Sequence, residues 1–168
     1  MINHTGIKQA EELSNKILEE RYKFSKIYSS LQRRAVKTAE ILGHATNLDY
    51  RPIEEVEEMN LGEWEGLSWA EVKQKYPIEY EQWYINRRYT KTPRGESYQD
   101  MLERGLTAIH KIIKENFEDV VIVTHSAVIM SIQCYITNTP FDEMIKFKTD
   151  NTSITEIDSD LLNSKGEI

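Results

Sequence analysis

The stretch "VVIVTHSAVIM", residues 120–130, decides how the rest of the chain is read. A run of β-branched apolar residues ends on Thr124-His125-Ser126, and an apolar run resumes at once. A short continuous apolar run reads as a strand buried on both faces. The apolar residues 127–136 that follow it read as a buried helix. Working outward, "KIYSS" at 26–30 reads as a second strand feeding a helix over 31–45, residues 50–53 as a short extended piece, and "SITEID" at 153–158 as a last strand. Further helices are expected over 7–22, over 69–76 with Pro77 as its stop, and from a Ser97 cap to about 117. Residues 80–97 read as loop and irregular helix. Strands alternating with long helices predict an α/β fold, a three-layer sandwich with a mostly parallel central sheet flanked by helices.

The bulk properties narrow the function classes. A chain of 168 residues with 39% hydrophobic and 29% charged residues fits one soluble domain spanning 1–168. A net charge of -7 argues against nucleic acid and anionic membranes as partners, because both need a basic field. A small anionic substrate remains compatible, since a local arginine cluster outweighs a distant acidic surface. The single cysteine, Cys134, has no partner for an internal disulfide, which points to a reducing cytoplasm. No apolar run reaches the length of a membrane span, and "MINHTGIKQA" has no secretory pattern.

In parallel sheets, ligands bind outside the carboxyl ends of the strands. Two strands here end in the same way, at Ser29-Ser30 and at Thr124-His125-Ser126, and each enters a helix. The N–H groups at such a helix start form an anion site. On the first of these helices, helical spacing places Arg34 beside the Leu31-Ala35-Ala39-Leu42 core stripe, facing inward, and puts Arg33 on the solvent stripe with Lys37 and His44. An inward guanidinium needs an anion: a bound ligand or a buried carboxylate both satisfy it. His125 reads either as a catalytic group or as a capping residue. The acidic loop "EEVEEMNLGEWEG" carries six glutamates, most of them solvated. One held beside Met59 and Leu61 would have a raised pKa and suit general acid work. Gly62, Trp64 and Gly66 suggest that the loop is tightly packed.

Four segments, "IYSSLQRRAVKTAEIL", "VEEMNLGEWEGLSW", "PRGESYQDMLERG" and "VVIVTHSAVI", occur in the order and approximate spacing of the histidine phosphatase superfamily, the phosphoglycerate-mutase-like group. The resemblance covers residues 6–157. It implies that Arg34 is a phosphate-binding arginine, that Glu58 is the proton donor to the leaving group, and that His125 is the second histidine, which with Ser126 at the following helix start holds the transferred phosphoryl. It implies a small phosphorylated substrate or inorganic phosphate as partner, no cofactor and no metal. Residues 76–96 would form a lid-like insertion from which Trp83, Tyr84, Arg87 and Arg88 read the rest of the substrate. The short stretch between "GEWEG" and "GES" favours a phosphatase over a phosphoglycerate mutase.

The sequence departs from the pattern of the family it resembles at three places. Glu57 stands where arginine is common, and Ser126 stands where glycine is common, with a hydroxyl able to cap the next helix. The third departure is larger: the Arg-His-Gly motif that carries the nucleophile at the end of the first strand occurs nowhere in the 168 residues. His4 heads a helix with no strand before it, and His44 and His110 fall on polar helix stripes, so no nucleophile is assigned. In the family that strand is central to the sheet, beside the strands ending at Ser29 and Thr124. Its absence suggests a chain clipped at its ends, little or no turnover, and an edge that invites pairing between chains, including a homodimer. A phosphate-binding module without turnover is the alternative reading, and an interaction protein that has lost its site is a third.

Overall fold

The computed structural model describes residues 3–165. The chain begins with α1 (His4–Glu19), capped by the Asn3 side chain, which accepts from the Gly6 N–H. Strand β1 (Lys26–Ser29) leads into α2 (Arg33–Thr46), then β2 (Tyr50–Pro52). The acidic segment follows as two short 3-10 turns, Glu54–Val56 and Gly62–Trp64. Then come α3 (Trp69–Lys75), α4 (Pro77–Ile85), α5 (Tyr98–Glu115), β3 (Val120–Val123), α6 (Ser126–Thr137), a 3-10 segment Phe141–Phe147 and α7 (Ser159–Asn163).

The sheet has three strands in the order β2-β1-β3, all parallel, with Ile27 opposite Tyr50 on one side and Val121 on the other. Helices cover both faces. Val121, Val123 and Ile27 pack with Ile17, Ala39 and Leu42 of α1 and α2. Ile122 packs on the opposite face with Leu106 and Ile109 of α5 and Val128 and Ile132 of α6. This is the three-layer α/β sandwich with a parallel central sheet that the sequence predicts.

Four local expectations need correction. Pro77 ends α3 but also opens α4 as its first residue, where a missing N–H costs nothing; residues 77–85 are therefore regular helix rather than irregular loop. His110 is buried on α5, its Nε2 facing the Leu162 carbonyl at 3.4 Å, because α7 folds over the stripe that the sequence leaves polar. β3 is half-exposed at every residue rather than fully buried. Residues 153–158 form no regular element and join no ladder. The last two share a cause: β3 is the edge of the sheet, so the outermost apolar residues lack a neighbour.

The direct pairing of β1 with β3 corrects the expectation that a further strand would lie beside both of them. β1 and β3 pair directly along their whole length, which leaves no room for a strand between them. A fourth strand can lie beside β3 but not beside β1.

Candidate active site

The carboxyl ends of β1 and β3 bring Ser30 and His125 together. The chain leaves β3 through Thr124, whose hydroxyl donates to the Val56 carbonyl at 2.6 Å, and His125 takes the N-cap position of α6 in extended conformation. The ring of His125 is 5% exposed. Arg34 Nη2 lies 3.1 Å from His125 Nδ1, and His125 Nε2 lies 2.8 Å from Ser30 Oγ. A guanidinium only donates, so Nδ1 accepts, Nε2 carries the proton, and the ring donates it to Ser30. Neither ring nitrogen then has a lone pair open for attack on phosphorus. Burial first, then the charges of Arg34 and Arg104, pull the His125 pKa down from 6.5 to about 4. His125 is a neutral hydrogen-bonding group at physiological pH.

Arg34 comes from the first turn of α2, and its side chain is 59% exposed. This corrects the inward placement: Arg34 does not lie against the core but reaches across the strand ends with most of its side chain in solvent. Helical spacing fixes the direction of a side chain, not whether packed atoms or solvent lie there. The same guanidinium lies 3.9 Å from Glu58 Oε2. Arg34, Glu58 and His125, the three residues assigned by resemblance, therefore share one cleft, together with Ser30. Ser126 is the first helical residue of α6 rather than its cap, and its hydroxyl accepts from Thr149.

Glu58 is placed by a rigid support that the sequence reading did not assign. Arg104 of α5 donates to the carbonyls of Glu55, Glu57 and Glu58 at 2.7, 2.9 and 3.1 Å. Its remaining donors meet the Glu96 carboxylate at 2.6 and 3.1 Å, and Glu96 also accepts from the Asn60 N–H at 2.8 Å. One planar fork thus fixes the backbone on both sides of the acid. Gly62, at φ +57, lets the loop approach the 93–95 segment so closely that an added Cβ would lie 2.1 Å from the Pro93 carbonyl oxygen. Burial raises the pKa of Glu58 above the ordinary 4.5; the Met59 N–H, Arg34 and Arg104 oppose the shift without cancelling it. A carboxyl with a raised pKa holds its proton closer to neutral pH, as a general acid requires.

The substrate-reading candidates separate. Trp83 is 3% exposed and lies inside an aromatic cluster with Trp64, Trp69 and Tyr98; it is core. Arg88 bonds Gln99 Oε1 at 2.9 Å, lies over the Phe141 ring at 4.6 Å, and lines a cavity of about 310 Å³ beside Cys134 and Pro140. None of Ser30, Arg34, Glu58 and His125 lines that cavity. Arg87 donates to the Asp142 carbonyl at 2.9 Å. It stays close enough to Tyr98 to oppose the rise in the phenol's pKa that burial and Glu58 produce. Of the three, Arg87 acts on a phenol, Tyr98, that Glu58 also influences. Among the described residues no three His, Cys, Asp or Glu side chains are grouped to hold a metal ion, and no helix is long and apolar enough to cross a membrane.

A parallel three-layer α/β domain with a histidine and an arginine beyond the strand ends, and a carboxyl of raised pKa beside them, defines a class of fold and site; comparison with known proteins gives the family. Residues 1–161 match the histidine phosphatase superfamily (branch 1), and the chain belongs to it. It is 30% identical over 143 residues to 6-phosphofructo-2-kinase/fructose-2,6-bisphosphatase 3 of Bos taurus, a match covering 85% of this chain and 30% of that protein. The chain thus spans under a third of that relative. Among solved structures, mycobacterial glucosyl-3-phosphoglycerate phosphatase in complex with VO3 superposes with a TM-score of 0.76 at 25% identity, over 91% of this chain and 77% of that one. The α-ribazole phosphatase of Shigella flexneri gives a TM-score of 0.78 at 23% identity, over 90% and 75%; at that identity the likeness concerns the fold.

Proposed function

We propose that these residues form the phosphoryl-binding part of a cytoplasmic phosphomonoesterase that hydrolyses a small phosphorylated metabolite through a phosphohistidine. The observation that carries the reading is the convergence of Arg34, Glu58 and Ser30 on His125 within one cleft. Arg34 and the His125 N–H, once released from Ser30, hold the equatorial phosphoryl oxygens, aided by the amides that open α6. An imidazole from an Arg-His-Gly segment outside these 168 residues attacks phosphorus. The ester P–O bond breaks, and the departing oxygen takes the Glu58 proton. Glu58, now a carboxylate, takes a proton from water as it attacks the P–N bond, which releases phosphate and restores both groups. Residues 76–96 act as a lid over this cleft, with Arg87 turned toward the substrate. The comparison with a glucosyl-3-phosphoglycerate phosphatase solved with VO3 supports a phosphoryl ligand.

The second reading is a phosphate-binding module without turnover. Both His125 nitrogens are engaged and the sequence lacks Arg-His-Gly, which favours that reading for the 168 residues alone. The expected result is that phosphate at a hundred times its Kd stabilises the chain by about 2.7 kcal/mol, while p-nitrophenyl phosphate is not hydrolysed. Hydrolysis by these 168 residues that His125→Ala abolishes would overturn the assignment of the nucleophile to another segment. No stabilisation by phosphate would overturn the phosphoryl site itself.

A further inference from the structure

The cavity of about 310 Å³ beside Cys134 lies at the C-terminal end of α6, the end opposite His125. The 12 residues of that helix set its two ends about 18 Å apart. The cavity is therefore a place of its own, away from the phosphoryl cleft. Its lining carries two cations, Arg88 and Lys165, and no carboxylate, in a chain whose net charge is -7.

Arg88 is held in one orientation. Its Nε donates to Gln99 Oε1 at 2.9 Å, and its guanidinium lies over the Phe141 and Tyr89 rings at 4.6 and 5.1 Å. These contacts fix the plane of the fork but leave Nη1 and Nη2 without a partner among the described residues. Lys165 donates to the Tyr135 carbonyl and to Asn138 Oδ1. Both acceptors are neutral, so the charge stands, and one of the three ammonium donors is left over. The negative end of the α6 dipole does not oppose an anion here. The Cys134 carbonyl accepts from the Thr139 N–H at 2.9 Å, and the Tyr135 carbonyl accepts from Lys165. Burial raises the pKa of the Cys134 thiol; Arg88 and then Arg87 oppose the rise, and Asp142 and Glu143 add to it more weakly. Glu143 is itself paired with Lys146.

We propose that this cavity binds a small organic monocarboxylate, its head on the Arg88 fork beside Lys165 and its hydrocarbon body against Pro140 and Tyr135. The free edge of a guanidinium matches the two oxygens of a carboxylate. A phosphate site draws on main-chain N–H groups as well, and none is free here: the Asn138 and Thr139 amides bond to the last carbonyls of α6, and Pro140 has no N–H. The volume, about 310 Å³, is at the small end of ligand cavities, which suits a short acid. A ligand at this point braces the end of the 76–96 segment. Arg87 already donates to the Asp142 carbonyl, and the Arg88 carbonyl accepts from the Gln99 N–H at 2.8 Å, so a carboxylate on Arg88 ties the same residues together more firmly. Binding here does not depend on the phosphatase reading.

The test follows the Thr139 amide and the Arg88 Nε–H by NMR while hexanoate is titrated into the whole chain. The expected result is a saturable shift of both signals, with a Kd below about 10 mM. Hexanamide has the same shape without the charge and should bind the unaltered chain at least about tenfold more weakly. Arg88→Lys keeps the charge but not the fork and should weaken hexanoate about tenfold; Lys165→Gln should weaken it about threefold. Arg34→Ala should leave hexanoate binding intact while orthovanadate binding is lost, which separates failure of this cavity from failure of the phosphoryl site. No shift at about 50 mM hexanoate, or equal binding of hexanamide, would overturn the assignment. Tighter binding of inorganic phosphate than of hexanoate at the same two signals would overturn it in favour of a phosphate site.

Discussion

The two sides of the cleft are built differently. On one side, the acidic loop is held by hydrogen bonds to three separate parts of the fold: Arg104 donates to three of its carbonyls, Thr124 donates to Val56, and the Ser29 carbonyl accepts from Ile53 at 2.7 Å. On the other side, β3 and residues 153–158 pack side chain against side chain without forming a ladder. The first side is over-determined and sets Glu58 within reach of Arg34. The second side holds its hydrophobic contacts but not its ladder. Preorganised chemistry and an open edge sit within a few residues of each other, because the same strand, β3, supplies His125 at its end and the open edge along its length.

The contrast is broken most directly by Arg104→Ala. It removes the guanidinium from the Glu96 carboxylate, which keeps only the Asn60 N–H, and from three carbonyls, and an expected loss of about 3–5 kcal/mol follows in urea unfolding. Arg104→Lys should recover little of it, since an ammonium cannot reproduce the fork. Arg34→Ala, on an exposed side chain, should change stability by no more than about 0.5 kcal/mol. Equal losses for the two variants would remove the distinction between a supporting and a ligand-binding arginine.

The next effect concerns pH. His125 has its folded pKa lowered from 6.5 to about 4, so the unfolded chain binds a proton first as pH falls. Stability is therefore lost between pH 6.5 and 4, by about 3 kcal/mol in all. His125→Gln should flatten the unfolding free energy over that window. An unchanged slope would show that another group carries the acid response.

The smallest effect tests the open side. Ile27→Ala, in the fully buried part of the sheet, should cost about 2–5 kcal/mol, whereas half-exposed Ile154→Ala should cost about 1 kcal/mol. A cost for Ile154→Ala as large as that for Ile27→Ala would mean that residues 153–158 hold the sheet edge as firmly as the paired strands hold its centre.

Much of this was legible in the sequence, and the misses have physical reasons. The apolar runs and helical stripes place every strand of the sheet and every long helix. Periodicity shows that two faces of β3 are covered, but says nothing about its edges, so the strand was expected to be fully buried. Spacing places Arg34 one stripe from the core, yet cannot reveal a cleft in front of it. Arg104 carried no local signal, because its carbonyl partners lie 46 to 49 residues away. Ser30 was visible as part of a doubled serine at a strand end, and only the approach of His125 made it a site residue.

The central claim is that His125, Arg34 and Glu58 together receive a phosphoryl group. The direct measurement is NMR of the His125 imidazole nitrogens while orthovanadate is titrated into the chain. The account predicts a saturable shift of both ring nitrogens, as the bonds to Arg34 and Ser30 are exchanged for vanadate oxygens, and its loss in Arg34→Ala. Imidazole signals that stay unmoved at millimolar orthovanadate would contradict it.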